Sequence, residues 1–101
     1  MSFNIMAENT GPLDFVKIQQ AFYAPGLPFE LVPMPGLGIN GGDALGICVP
    51  LKQANDATWK QLKPVLRQLR RKFHCDVYEL YDGQKLGCLN SGKIRRNLLL
   101  K

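Results

Sequence analysis

Three groups of side chains in this chain have the types and spacing to do chemistry, and the first is a glycine-rich loop. Gly36, Gly38 and Gly41 spell GxGxxG inside PFELVPMPGLGINGGDALGICV, residues 28–49. That pattern holds a dinucleotide pyrophosphate when it follows a strand and opens a helix, whose N-terminus then faces the phosphates. Here the glycines lead into Ala44–Leu51, an apolar run that reads as a strand, so the dinucleotide context fails. A P-loop is excluded because no Gly-Lys-Ser/Thr follows. Two readings stay open. Successive amides around Asn40, Gly41, Gly42 and Asp43 form a nest for a small anion, or the segment only connects two strands.

The second group is the thiols. Cys48, Cys75 and Cys88 form an odd set without a CxxC pair, which argues against a disulfide framework and for a reducing compartment. His74 adjoins Cys75, but one histidine and three cysteines match no compact zinc site, so no metal or cofactor is expected. Cys75 follows the end of a predicted helix, where the dipole disfavours a thiolate. All three are expected to be buried and inert. No Ser/His/Asp constellation and no regularly spaced carboxylate pair is present, so the chain is read as a non-enzyme.

The third group is basic. The formal net charge is +5, unevenly spread: residues 1–51 carry one cation, Lys17, whereas residues 52–101 carry twelve. At 100° per residue Lys60, Lys63, Arg67, Arg70 and Arg71 fall in one helical sector, and Lys93, Arg95, Arg96 and Lys101 extend the charge through a C-terminal segment. Such a row presents bidentate guanidinium groups to carboxylates or phosphates, or simply keeps an amphipathic helix hydrated. Tyr78 and Tyr81 are available for stacking, but the Arg/Lys-Gly-Phe-Gly-Phe type of motif that marks RNA-binding sheets is missing.

These residues must be carried by a small set of elements. A chain of 101 residues with 46% hydrophobic and 21% charged residues suits one globular domain. No signal peptide or apolar span is visible, so a cytoplasmic location without a membrane is expected. Phe3–Ala7 alternates as a strand. Leu13–Tyr23 places Phe15, Ile18 and Phe22 on one stripe and stops at Pro25-Gly26. Phe29–Pro33 reads as an edge strand, because Pro33 and Pro35 cannot donate ladder hydrogen bonds. Ala44–Leu51 is apolar throughout, as in a strand covered on both faces. From Asp56 to Phe73, Trp59, Leu62, Leu66, Leu69 and Phe73 mark a buried helical stripe, capped by Asn55 or Asp56, with Pro64 pointing away from it. Cys75–Tyr81 is a strand, and Asp82-Gly83 predicts that Gln84–Leu89 folds back against it.

The order strand, helix, strand, strand, helix, strand predicts an α+β domain of the ferredoxin-like, split βαβ kind (βαββαβ). It has an antiparallel sheet, two helices on one face and an extra C-terminal hairpin strand. Residues 1–90 form the domain, and residues 91–101 read as a basic tail with an apolar Leu98-Leu99-Leu100 patch.

The stretch LPFELVPMPG, with the following Ile39-Asn40-Gly41-Gly42-Asp43-Ala44-Leu45, resembles the selenium/sulfur carrier-like family of small ferredoxin-like domains. The specific part is Leu31 to Leu45: the Leu31-Val32-Pro33-Met34-Pro35 strand end matches the family's Leu-Val-Pro-x-Pro, whereas the family's next turn is Ser-rich. Family members open the following strand with Cys-Gly, where this chain has Asp43-Ala44. The resemblance therefore implies the fold and does not carry thiol chemistry to this position.

The function expected is a non-catalytic adaptor or inhibitor docking an acidic protein surface through the basic helix face. A degenerate sulfur-transfer or redox accessory protein is one alternative, and a nucleic-acid-binding module is another. If four of the cations held phosphates, log K would fall with log salt at a slope of about −3.5. Pairing through the Phe29–Pro33 edge would give a homodimer.

Overall fold

The computed structural model describes residues 2–22, 25–80, 85–86 and 91–99. The elements run β1 (Ser2–Glu8), α1 (Phe15–Phe22), β2 (Glu30–Met34), β3 (Ala44–Pro50), α2 (Asp56–Arg71), β4 (Asp76–Glu79) and α3 (Ser91–Leu99), with short 3-10 turns at Ile39–Gly41 and Leu51–Gln53. The protein is α+β: the four strands form one antiparallel sheet in the order β2-β3-β1-β4, and three helices accompany it.

The register follows the hydrophobic alternation. Ile5 pairs with Ile47 on one side and with Glu79 on the other, while Leu31 pairs with Ile47 from the outer strand. Phe3, Ile5 and Ala7 of β1, Leu45, Ile47 and Val49 of β3, and Val77 of β4 are all buried, so this face of the sheet meets the helices. Their alternates are half-buried or exposed, except Ala44 at the start of β3, which is buried. Helix cover on one side only differs from the expectation for β3, and the reason is specific. Gly46, Cys48 and Pro50 are small enough to read as core, yet they lie on the open face, only half-buried.

Helix α1 starts where the Asp14 carboxylate accepts the Lys17 amide, and it buries Ile18 and Phe22. Phe22 meets Phe73 edge-on at 6.0 Å between ring centroids. Helix α2 is capped by Asn55, whose side chain accepts the Thr58 amide at 3.0 Å. Its buried stripe is Trp59, Leu62, Leu66 and Leu69, widened by Thr58 and Val65. Pro64 is exposed, where its missing N–H leaves the Lys60 carbonyl free to meet water. Beyond the helix His74 takes a left-handed conformation (φ 57), turning the chain into β4.

Residues 91–99 are not a tail. They form helix α3, which buries Ile94 and Leu98 completely in the same apolar core as α1 and α2. Nine residues make a marginal helix in water, so α3 exists because that i, i+4 pair docks. It also covers Glu79, a fully buried carboxylate whose Oε2 accepts Nδ2 of the Asn97 side chain at 2.8 Å. Of the expected hairpin return, the described residues Lys85 and Leu86 give an isolated bridge, Tyr78 with Lys85, and one hydrogen bond from the Leu86 amide to the Val77 carbonyl. No fifth strand is present among the described residues, and the Asp82-Gly83 turn lies outside them. Leu98→Ala should lower the unfolding free energy by about 3 kcal/mol through a core cavity. Urea titration checks this, and an unchanged midpoint would mean that α3 adds nothing to the fold.

Candidate partner-docking site

The basic sector of α2 is built by the same periodicity that buries its opposite side. Lys60, Lys63, Arg67 and Arg71 lie exposed along one line, roughly one turn apart. Arg70 sits at the margin of that line. It is half-buried and already engaged by a neighbour, so it does not belong to the free row. Helix α3 lies beside α2 and contributes Arg95. Asp56, Trp59, Lys60, Lys63, Pro64, Arg67 and Arg95 together line a shallow groove of about 590 Å³.

Asp56 is the residue sequence reasoning overlooked as part of this surface. Its carboxylate accepts both Nε and Nη2 of Arg95, at 3.2 and 2.8 Å, and lies 3.6 Å from the Lys60 ammonium. The Arg95 hydrogen bonds first, then the charges of Arg95 and Lys60, hold its carboxyl below the usual range against the desolvation that raises it. Arg95 is thus committed to an internal partner and Lys60 is shared. The signal in sequence was Asp56 four residues before Lys60, a standard helical ion-pair spacing, but nothing local foretold Arg95.

Lys63, Arg67 and Arg71 have no carboxylate within salt-bridge distance among the described residues. Lys93 and Arg96 are also exposed and unpaired among the described residues, but neither lines the groove. They lie about 160° and 100° round α3 from Arg95, so the expected single patch separates into a groove on α2 and outlying charges on α3. Lys101 lies outside the described residues.

The glycine loop is a clasp. The Asp43 carboxylate accepts the backbone amides of Leu13 and Gly36, each at 2.9 Å. Those two bonds, Leu13 first, hold its carboxyl below the ordinary value of 3.8. Their contribution to stability is therefore complete above that value and fades as the pH falls through the lower folded one. The Asp43 amide donates to the Gly11 carbonyl, its own carbonyl accepts the Asn9 amide, and the Gly42 amide donates to the Ile39 carbonyl. These bonds consume the amides of Gly42 and Asp43, two of the four donors a nest there would offer an outside anion. Asn9 ties the clasp onward, donating from Nδ2 to the Phe73 carbonyl at 3.1 Å.

Cys75 is buried, and desolvation, helped by the neighbouring Asp76 charge, pushes its thiol up to about 11. Cys48 is half-buried on the open sheet face, and Cys88 lies outside the described residues. No cluster of His, Cys, Asp and Glu suited to a metal occurs among the described residues. Nor is any helix among them long and apolar enough to cross a membrane. Cys75 should resist iodoacetamide at pH 7.5 in the native protein and react within minutes in denaturant. Rapid native labelling at Cys75, read by mass spectrometry, would revive a thiol-based activity.

No family model matches this chain, and no curated protein or solved structure matches it.

Proposed function

We propose that this protein is a non-catalytic adaptor or inhibitor that docks an acidic protein surface through the α2 groove. The observation carrying the reading is the line Lys63, Arg67 and Arg71: three exposed cations, spaced four residues apart and free of internal carboxylates among the described residues. At 1.5 Å rise per residue they span about 12 Å, which suits carboxylates repeated at the same interval on a partner helix. Trp59 and Pro64 give the groove an apolar floor beside the charge.

The scaffold we propose is the ferredoxin-like split βαβ arrangement. The strand order β2-β3-β1-β4 supports it, since it interleaves two β-α-β units, with α3 added after β4. That architecture hosts many unrelated activities, so the function is argued from the groove alone. A sulfur-transfer role draws no support from a buried Cys75 whose thiol stays protonated at neutral pH.

The test is binding of a fluorescent 14-residue helical Leu/Glu peptide, with glutamates at i, i+4 and i+8. Saturable binding that weakens with salt and survives excess random single-stranded DNA is expected. Full displacement by the oligonucleotide would replace the acidic-protein reading with nucleic-acid binding.

A further inference from the structure

The side of the sheet away from the helices presents a second surface, unlike the first in both polarity and charge. Val32, Gly46, Met6 and Tyr78 stand in register across its four strands. Gly46 has no side chain to raise the centre of that row, and the Met34 thioether folds over it: a Cβ there would lie 3.2 Å from Sδ. Val32 is 38% exposed and Leu80, just past β4, is 54% exposed. Among the described residues no helix covers this face. Its centre is therefore a low apolar strip in which the Met34 side chain lies over Gly46 beside Met6, and unbranched methionine side chains adapt to a guest.

The rim has the opposite sign from the α2 groove. Glu8 and Asp76 face each other across β1 and β4, and Glu30 stands at the outer strand opposite Cys48. Two cations stand beside them: Lys85 is held by Asp76 at 3.4 Å and lies 5.9 Å over the Tyr78 ring, and Lys52 lines a shallow pocket with Glu30. The complementary guest has an apolar stripe with cations on both flanks. Three strand intervals of about 4.8 Å make the face roughly 14 Å wide, spanned by a helix of about ten residues.

We propose that the open sheet face docks an amphipathic helix of another protein, its apolar stripe on Met6, Val32, Met34 and Tyr78 and its basic flanks against Glu8 and Glu30. The domain would then hold two partners of opposite charge on opposite layers. This second site does not depend on the α2 groove being one.

A 14-residue Leu/Lys amphipathic peptide, titrated into the isotopically labelled chain, tests the proposal by NMR. Saturable shifts should centre on the amides of Met6, Val32, Gly46 and Tyr78. The double variant Val32→Lys with Met34→Lys should weaken binding at least tenfold. Glu8→Gln with Glu30→Gln, which leaves packing intact, should weaken it several-fold and flatten its salt dependence. Absence of saturation at millimolar peptide, shifts confined to α2 and α3, or full affinity in the glutamine variant would each overturn the proposal. So would concentration-dependent dimerisation that buries this same face. The Leu/Glu peptide, run in parallel, reports on the α2 groove separately.

Discussion

Gly42→Ala is expected to be among the most damaging single-methyl changes in this protein, lowering its stability by about 3 kcal/mol and its Tm by roughly 15 °C. The reason is contact, not backbone freedom. Gly42 has φ −70 and ψ −170, which any residue adopts. An added Cβ would instead run into the Asn9 carbonyl oxygen and lie 2.5 Å from the Thr10 carbonyl carbon. Both are backbone atoms pinned by the Asn9 and Asp43 hydrogen bonds, so no side chain can swing aside. Gly36→Ala makes the matched control. Gly36 has a positive φ of 75 and nothing within 4 Å of a new Cβ, so it should cost only the left-handed penalty of about 1 kcal/mol. Thermal melts of the two variants decide the matter. If Gly42→Ala melts no lower than Gly36→Ala, the loop does not press on residues 9–11 as described.

That contrast also shows what could be read from the sequence and what could not. The stripe Trp59, Leu62, Leu66, Leu69 and the alternation Phe3, Ile5, Ala7 are periodic signals that depend on near neighbours, and both appear in the structure as read. The glycine loop announced a special backbone but not its purpose. GxGxxG says that side chains are unwelcome, whereas only the docking of residues 36–43 on residues 9–13, thirty positions away, says why. Helix α3 was hidden for a similar reason. In SGKIRRNLLLK the helix rests on Ile94 and Leu98 meeting a core assembled by earlier elements, and local propensity contains no trace of that encounter. Within the candidate site, Lys63, Arg67 and Arg71 followed from helical geometry alone. The loss of Arg95 to Asp56 depended on where α3 lands.

Reversing those three charges together, Lys63→Glu, Arg67→Glu and Arg71→Glu, should abolish binding of the Leu/Glu peptide, with at least a hundredfold rise in Kd, and leave the fold in place. Each side chain is exposed and makes no ion pair with a described residue, so each change should stay within about 0.5 kcal/mol. The formal net charge moves from +5 to −1, which turns the long-range field against an acidic ligand as well as removing its contacts. A counter-experiment with the opposite sign comes from Asp56, the carboxylate that lines the same groove. Asp56→Asn releases Arg95 and Lys60 from their internal partner and removes a negative charge from the ligand's path. Tighter binding of the acidic peptide is therefore expected, most clearly at low ionic strength. A mere count of surface charge predicts the same direction for both variants but does not single out the groove. Lys93→Glu with Arg96→Glu separates the two ideas, because those cations lie off the groove and change the total by four. If that pair weakens binding as strongly as the α2 triple reversal, the groove is irrelevant and only net charge matters. If it changes Kd by no more than a few-fold, the line along α2 is where the partner sits.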